Sequence, residues 1–408
     1  MEFHTHRLEN GIQLIHKQID SPVAHCGLIM NTGSRDEEEF EHGLTHLIEH
    51  LIFKGTKKRK AYHILSRMDD VGGELNAYTT KEETCIHTTF FDNYYARAFE
   101  LIRDIAFNSV FPQKEIIKEK EVIIDEINSY KDSPFELIFD DFEELIFAGN
   151  PIARNILGTE SSLYNMGIET IQSFYRNNYP TNQMIVSSIG RYSFKKVKKY
   201  FEMYFYDLPL REPLKQRELY NTNSYKAEYR EVFKGTHQAH CIVGMPAYSY
   251  NDPRRLTLHL LNNYIGGPGL NSKLNMVLRE KRGYAYNVES GYNAFSDTGA
   301  FSIYFGTDKK DLKKCLSITR RELQKLASQK LGTAQLSKAK KQLTGQIAIS
   351  AENNESQMLS IGKSQLVYNK VDDLDTICRK IDAITASEII EVAADLFDPD
   401  KISTLIYH

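Results

Sequence analysis

The run Ala24-His25-Cys26-Gly27-Leu28-Ile29-Met30 recurs, 215 residues further on, as Ala239-His240-Cys241-Ile242-Val243-Gly244-Met245. Each copy reads as an apolar strand followed by a polar turn and a helix. A second pair keeps nearly the same offset. Thr89-Phe90-Phe91-Asp92 leads into helical spacing from Tyr94 to Ile105, and Tyr304-Phe305-Gly306-Thr307-Asp308 leads into helical spacing from Leu312 to Leu326. Each half then ends in helices and a short apolar strand, Met184–Ile189 in one and Ile402–Tyr407 in the other. The chain is a diverged duplication. Strands interspersed with helices at this scale predict an α+β fold of two homologous domains, each a mostly antiparallel sheet with packed helices. Pro209 and Pro213, followed by a polar stretch without apolar periodicity, mark the join. The expected division is a domain over 1–212, a linker over 213–228 and a second domain over 229–408.

Length and composition fit this division. A chain of 408 residues exceeds one ordinary core, and 41% hydrophobic with 26% charged residues is ordinary for a globular protein. A net charge of −3 gives no footprint for nucleic acid or an anionic membrane. The basic run Lys57-Lys58-Arg59-Lys60 reads as a solvated helix end. Five scattered cysteines, Cys26, Cys85, Cys241, Cys315 and Cys378, lack C-x-x-C spacing. They point to reduced thiols and against a cysteine-built metal site. No basic stretch followed by an apolar run opens the chain, and no apolar stretch approaches a membrane span, so a cytoplasmic location is expected.

The helix after the first repeated strand contains His46-Leu47-Ile48-Glu49-His50. Its spacing, H-x-x-E-H, is the reverse of the H-E-x-x-H metal-site motif. Between Glu41 and Thr56, apolar residues at Leu44, Leu47, Ile48, Leu51 and Ile52 form one stripe, and His46, Glu49 and His50 cluster opposite. The histidines form an i, i+4 pair whose side chains converge, with Glu49 beside both. The second half has no counterpart: its helix reads Leu258-His259-Leu260-Leu261-Asn262-Asn263. One metal site per chain is expected, in the first half, and His259 reads as an ordinary helix residue.

A catalytic zinc needs three protein ligands, so a third is missing. The stretch Pro112–Tyr130 can supply it. Its isoleucines at 116, 117, 123, 124 and 127 predict one amphipathic stripe. Glu115, Glu119 and Glu126 lie along one edge of that stripe, while Glu121 and Asp125 fall on the far side. The helical wheel leaves the three edge glutamates unranked.

The segment GLTHLIEHLIFKGT, Gly43–Thr56, resembles the signature of the pitrilysin family of inverted zinc metallopeptidases, which includes the mitochondrial processing peptidase and its bacterial homologues. The family pattern continues about seventy-five residues later with paired glutamates, here Glu119-Lys120-Glu121-Val122-Ile123-Ile124-Asp125-Glu126. Further similar stretches are Asn31–Arg35, Gly72–Thr79, Asp132–Pro134, Leu157–Thr159 and Arg279–Tyr286. One departure is Gly149-Asn150-Pro151, where the family often has His before the proline.

The resemblance implies a zinc endopeptidase with one Zn2+ per chain. His46, His50 and Glu126 would be ligands, Glu49 the general base and Glu119 a nearby supporting carboxylate. It implies that Asn76 and Ala77 lie on a sheet edge that pairs with the substrate backbone, a mode that binds extended peptides with little side-chain preference. It also implies that Arg279 binds a substrate carbonyl and that Tyr286 donates to the developing oxyanion. Glycines of Gly266-Gly267-Pro268-Gly269 match a loop that helps to admit substrate. Since the chain has the length of half of the long family members and keeps both motifs, a homodimer is expected. In it, Arg279 and Tyr286 of one subunit act in trans on the zinc site of the other, around short or unfolded polypeptides. The alternatives are the catalytic subunit of a heterodimeric peptidase and a non-catalytic structural or assembly homologue.

Overall fold

The computed structural model describes residues 3–408. The chain forms two units that are not consecutive in sequence. The first comprises residues up to Asn128, Arg154–Glu218 and Ile349–Val371; the second comprises Ser129–Ala153, Leu219–Ala348 and Asp372–His408.

The first unit is built on strands β1 (Phe3–Arg7), β2 (Gln13–Gln18), β3 (Val23–Met30), β4 (Glu74–Thr79), β5 (Thr84–Phe91) and β6 (Met184–Gly190). They lie in the order β1-β2-β6-β3-β5-β4. All neighbours are antiparallel except β2 and β6. Strand β6 is buried along its whole length and β3 nearly so, which requires cover on both faces. The two-residue period supplies it. Ala24, Cys26, Leu28 and Met30 of β3 join one core with the helices Tyr95–Phe107 and Phe194–Phe205. Ile15, Ile29, Cys85 and Ile185 point to the other face, where Leu359 and Leu366 of the helix Asn354–Tyr368 cover them. Gly362 allows the close approach, because a Cβ there would meet Ile29 Cδ1 at 2.5 Å and Ser187 Cβ at 2.7 Å.

The second unit repeats the scheme on β7 (Tyr229–Val232), β8 (Ala239–Ala247), β9 (Ala285–Ala294), β10 (Gly299–Thr307) and β11 (Ser403–Tyr407), in the order β7-β11-β8-β10-β9. Only β7 and β11 pair in parallel. Cys241, Val243, Met245, Phe301, Ile303 and Phe305 face a core shared with helices Arg255–Gly266, Leu312–Ser328 and Ala386–Leu396. Ile242, Tyr304, Leu405 and Tyr407 face the opposite way, onto Ile138, Phe142 and Phe147 from the helix Pro134–Ile146 and its end.

The fold is the expected α+β pair of mostly antiparallel sheets, and the repeated strands fall at β3 and β8. Each sheet, however, has its second face covered by a helix drawn from the opposite half of the sequence. The stretch 213–228 is also pinned. Arg217 Nε and Nη2 bond Asp36 at 2.7 and 2.8 Å within the first unit, and Tyr220 joins the core of the second, its hydroxyl donating to Ile146 O at 3.0 Å. Cys26, Cys85, Cys241 and Cys315 are buried free thiols, and Cys378 is half-buried and free. Among the described residues no helix is long and apolar enough to cross a membrane.

Candidate metal centre

The motif helix runs over Leu44–Leu51, shorter than the apolar stripe suggested, and Leu44, Leu47, Ile48 and Leu51 anchor it in the core. Its start is sharply defined. Gly43 holds φ +93° as N-cap, and a Cβ there would lie 2.6 Å from Leu157 O. The Glu37 carboxylate takes the free amides of the first turn, accepting from Gly43 N at 2.9 Å and Thr45 N at 2.7 Å. Burial pushes the Glu37 carboxyl up to about 8, while these amides and Arg154 pull the other way. Of the basic run beyond the helix, Lys57, Lys58 and Lys60 are exposed as expected, and Arg59 is the exception. The following turn is tied down by Arg59, which pairs with Asp104 at 2.6 Å and Glu100 at 2.7 Å.

The second contributing helix runs over Gln113–Lys131. Ile116, Ile123 and Ile127 are buried and Ile124 packs against the core, but Ile117 is 55% exposed and does not belong to the stripe. Glu121 and Asp125 are exposed as the wheel suggested. Of the three edge glutamates, Glu126 reaches the motif histidines: ligand atoms of His46, His50 and Glu126 all lie within 4.8 Å of one another. Glu119, one turn-pair earlier, is buried at 3% exposure and takes His50 instead. Glu115 is half-buried and outside this cluster.

His50 has a carboxylate facing each ring nitrogen. Nδ1 lies 3.1 Å from Glu119 Oε2, and Nε2 lies 3.9 Å from Glu126 Oε2. A carboxylate only accepts, so Nδ1 is the donor in the pair with Glu119, and Nε2 is the nitrogen turned towards Glu126. The His46 ring packs edge-on to His50 with centroids 4.7 Å apart. Burial first, and His50 second, push the His46 imidazole down to about 4, so it is neutral at pH 7, as a metal ligand must be. The buried Nδ1 of His46 has no hydrogen-bond partner, and neither has the buried Oε2 of Glu49. The donor set of two imidazoles and a carboxylate therefore fits a zinc ion, with the Glu49 oxygen left uncommitted beside it.

Burial is the largest influence on Glu49 and raises its pKa; Glu126 adds to the rise, while Thr79 and His50 oppose it. Thr79 ends β4, and its buried hydroxyl has no other hydrogen-bond partner. Strand β4 is an edge, paired only with β5, and includes Asn76 opposite His87 and Ala77 opposite Ile86. The motif helix packs beside this strand.

Arg279 and Tyr286 belong to the second unit. Arg279 sits on a π-helical turn, Asn275–Glu280, half exposed with Glu280 at 3.8 Å. Tyr286 is the second residue of the edge strand β9, 54% exposed, and its hydroxyl donates to Asp308 Oδ1 at 3.0 Å. That bond and the Asp308 charge raise the phenol pKa. His259 is a packed histidine, its ring 4.6 Å from that of Tyr292. Sequence reasoning passed over Glu37 and Lys54. Glu37 lies in an acidic run, Asp36 to Glu39, that reads as solvated. Lys54 lies in the turn beyond the helix and pairs with Glu119 at 2.8 Å.

Duplicated α+β units, one with a buried H-x-x-E-H helix completed by a glutamate from a second helix, define the class of inverted-motif, pitrilysin-like metallopeptidase folds. Residues 14–160 match the family described as Insulinase (Peptidase family M16), and residues 165–343 match the Peptidase M16 inactive domain. The chain belongs to peptidase family M16. A Streptomyces coelicolor protein named an uncharacterized zinc protease is 32% identical over 95% of this chain and 86% of its own length. One of the same description from Bacillus subtilis is 29% identical over 98% of this chain and 96% of its own. Two solved structures share the fold over 100% of this chain. A protease from Helicobacter pylori has TM-score 0.92 at 21% identity and is 99% covered, and a peptidase M16 inactive domain from Pseudomonas fluorescens has TM-score 0.93 at 17% identity and is 98% covered.

Proposed function

We propose that the protein is a zinc-dependent endopeptidase that hydrolyses peptide bonds of short or unfolded polypeptides, with one zinc ion per chain held by His46, His50 and Glu126. The observation that carries this reading is the convergence of those three ligand atoms within 4.8 Å beside a buried, unpartnered Glu49 oxygen. Zinc, when bound, supplies a Lewis acid that makes water acidic near neutrality and polarises a carbonyl. Glu49 is the general base: it takes the proton of the attacking water and returns it to the leaving amine. Its raised pKa strengthens it for the first task and brings it nearer the operating pH for the second. Glu119 keeps the His50 tautomer. The β4 edge at Asn76 and Ala77 receives the substrate backbone as an added strand. Arg279 and Tyr286 complete the site by binding the substrate carbonyl and the developing oxyanion.

The two exposed residues of the second unit favour a homodimer in which they act in trans. Glu49→Gln is expected to keep zinc and lose turnover by at least about a hundredfold. A Tyr286→Phe chain is expected to be impaired separately, and mixing and reassembling the two variants restores a fraction of turnover, because one site of each mixed dimer is intact. Wild-type turnover in Glu49→Gln refutes the peptidase reading. Absence of recovery on mixing refutes the trans arrangement.

A further inference from the structure

Glu119 is a nearly buried carboxylate whose two oxygens have different partners. Oε2 accepts from His50 Nδ1 at 3.1 Å, and Oε1 pairs with Lys54 Nζ at 2.8 Å. The lysine ammonium is three-quarters buried and approaches from the turn just beyond the motif helix. A buried carboxylate with only an imidazole as partner is costly and has one free oxygen with which to reorient. The lysine removes both problems, because it offsets the charge and holds Oε1 while Oε2 stays aligned with the ring. Held in this way, Glu119 keeps Oε2 on Nδ1 of His50, so the ring stays oriented with Nε2 turned to Glu126.

We infer that Lys54 is a positioning residue of the metal centre: through Glu119 it fixes the orientation and tautomer of His50 and so sets the affinity for a divalent cation. This rests on the zinc-site reading above and adds to it a residue that touches neither the ion nor the substrate. It also explains the order of elements. The helix ends at Leu51, and the turn after it brings Lys54 back towards Glu119 on the neighbouring helix.

Two measurements on the full-length chain test the inference without relying on turnover. Competition with a chromogenic chelator gives zinc affinity, and long-range 15N–1H spectra of the metal-free protein show which nitrogen of His50 bears the proton. Lys54→Met is expected to lower zinc affinity about 10–100-fold and to move His50 away from a pure Nδ1–H tautomer. Lys54→Arg, which keeps a cation within reach of Oε1, is expected to restore both. Wild-type affinity and tautomer in Lys54→Met overturn the role. If Lys54→Met does not fold, Lys54→Gln, which can donate to Oε1 without charge, is read in the same two ways; its matching wild type in both likewise overturns the role. A wild-type chain that binds no zinc overturns the peptidase reading itself. Tight zinc in both wild type and the lysine variants overturns only Lys54.

Discussion

At the scale of single residues, the chain uses burial to keep imidazoles neutral, in the metal centre and away from it. His16 on β2 is fully buried, bonding Tyr192 O through Nε2 at 2.8 Å and Ser188 Oγ through Nδ1 at 3.3 Å. His259 packs against Tyr292 in the second unit. Burial pushes both down from 6.5 to about 4, as it does His46. A folded pKa below the unfolded one means that the unfolded chain binds more protons between pH 6.5 and 4. Stability from each group is therefore complete above about 6.5 and is lost as pH falls towards 4, by on the order of 1–3 kcal/mol per histidine. Urea unfolding of metal-free protein at several pH values measures this. His16→Gln is expected to show a shallower loss between pH 6.5 and 4 than wild type, and an equal slope in the two proteins contradicts a neutral buried His16.

At the scale of elements, the apolar periods made the repeated strands, the motif helix and the glutamate helix legible, because core-facing positions alone set those periods. Composition misled at one position: Ile117 joined the stripe by residue type, yet it faces solvent while Glu119 is buried. The wheel could place Glu119 and Glu126 on one edge but could not rank them, since rank depends on where a second helix lies against the first. Lys54 was illegible for the same reason, its partner being on another element. The edge position of β4 leads to a prediction about substrates. If an extended peptide adds to β4 as a strand, main-chain hydrogen bonds hold it, and these are lost on N-methylation of alternate amides. A cleaved peptide methylated at alternate amides away from the scissile bond is expected to lose about tenfold or more in kcat/KM, mainly through KM, for one of the two alternations. The other alternation, whose amides face away from the edge, is expected to lose little. Equal tolerance of both series excludes strand addition at Asn76 and Ala77.

At the scale of the whole molecule, duplication is visible in sequence but the exchange of helices between halves is not. Pro134–Ile146 and Asn354–Tyr368 each have an apolar face, and nothing in that pattern states which sheet the face will cover. The consequence is energetic. Met358 and Ile361 are buried against Ile189, and Leu359 and Leu366 pack on Ile15, Ile29, Cys85 and Ile185, with Ser187 Oγ donating to Met358 O at 2.6 Å. Fully burying one such side chain stabilises by about 1.5–3 kcal/mol, so this face contributes several kcal/mol against a net stability of about 5–15 kcal/mol for a folded domain. A fragment ending at Glu218 contains every strand of the first sheet and all the metal ligands, yet lacks the helix that covers one face of that sheet. It is expected to bind a hydrophobic dye, to unfold without a sharp transition and to be cut readily by protease. Co-expression with the remainder of the chain, 219–408, is expected to restore a cooperative transition, since the missing helix is then supplied from the second fragment. Addition of a 349–371 peptide to the first fragment is expected to recover part of that cooperativity, whereas a first fragment that alone unfolds sharply at the temperature of the intact chain refutes the structural need for the exchange.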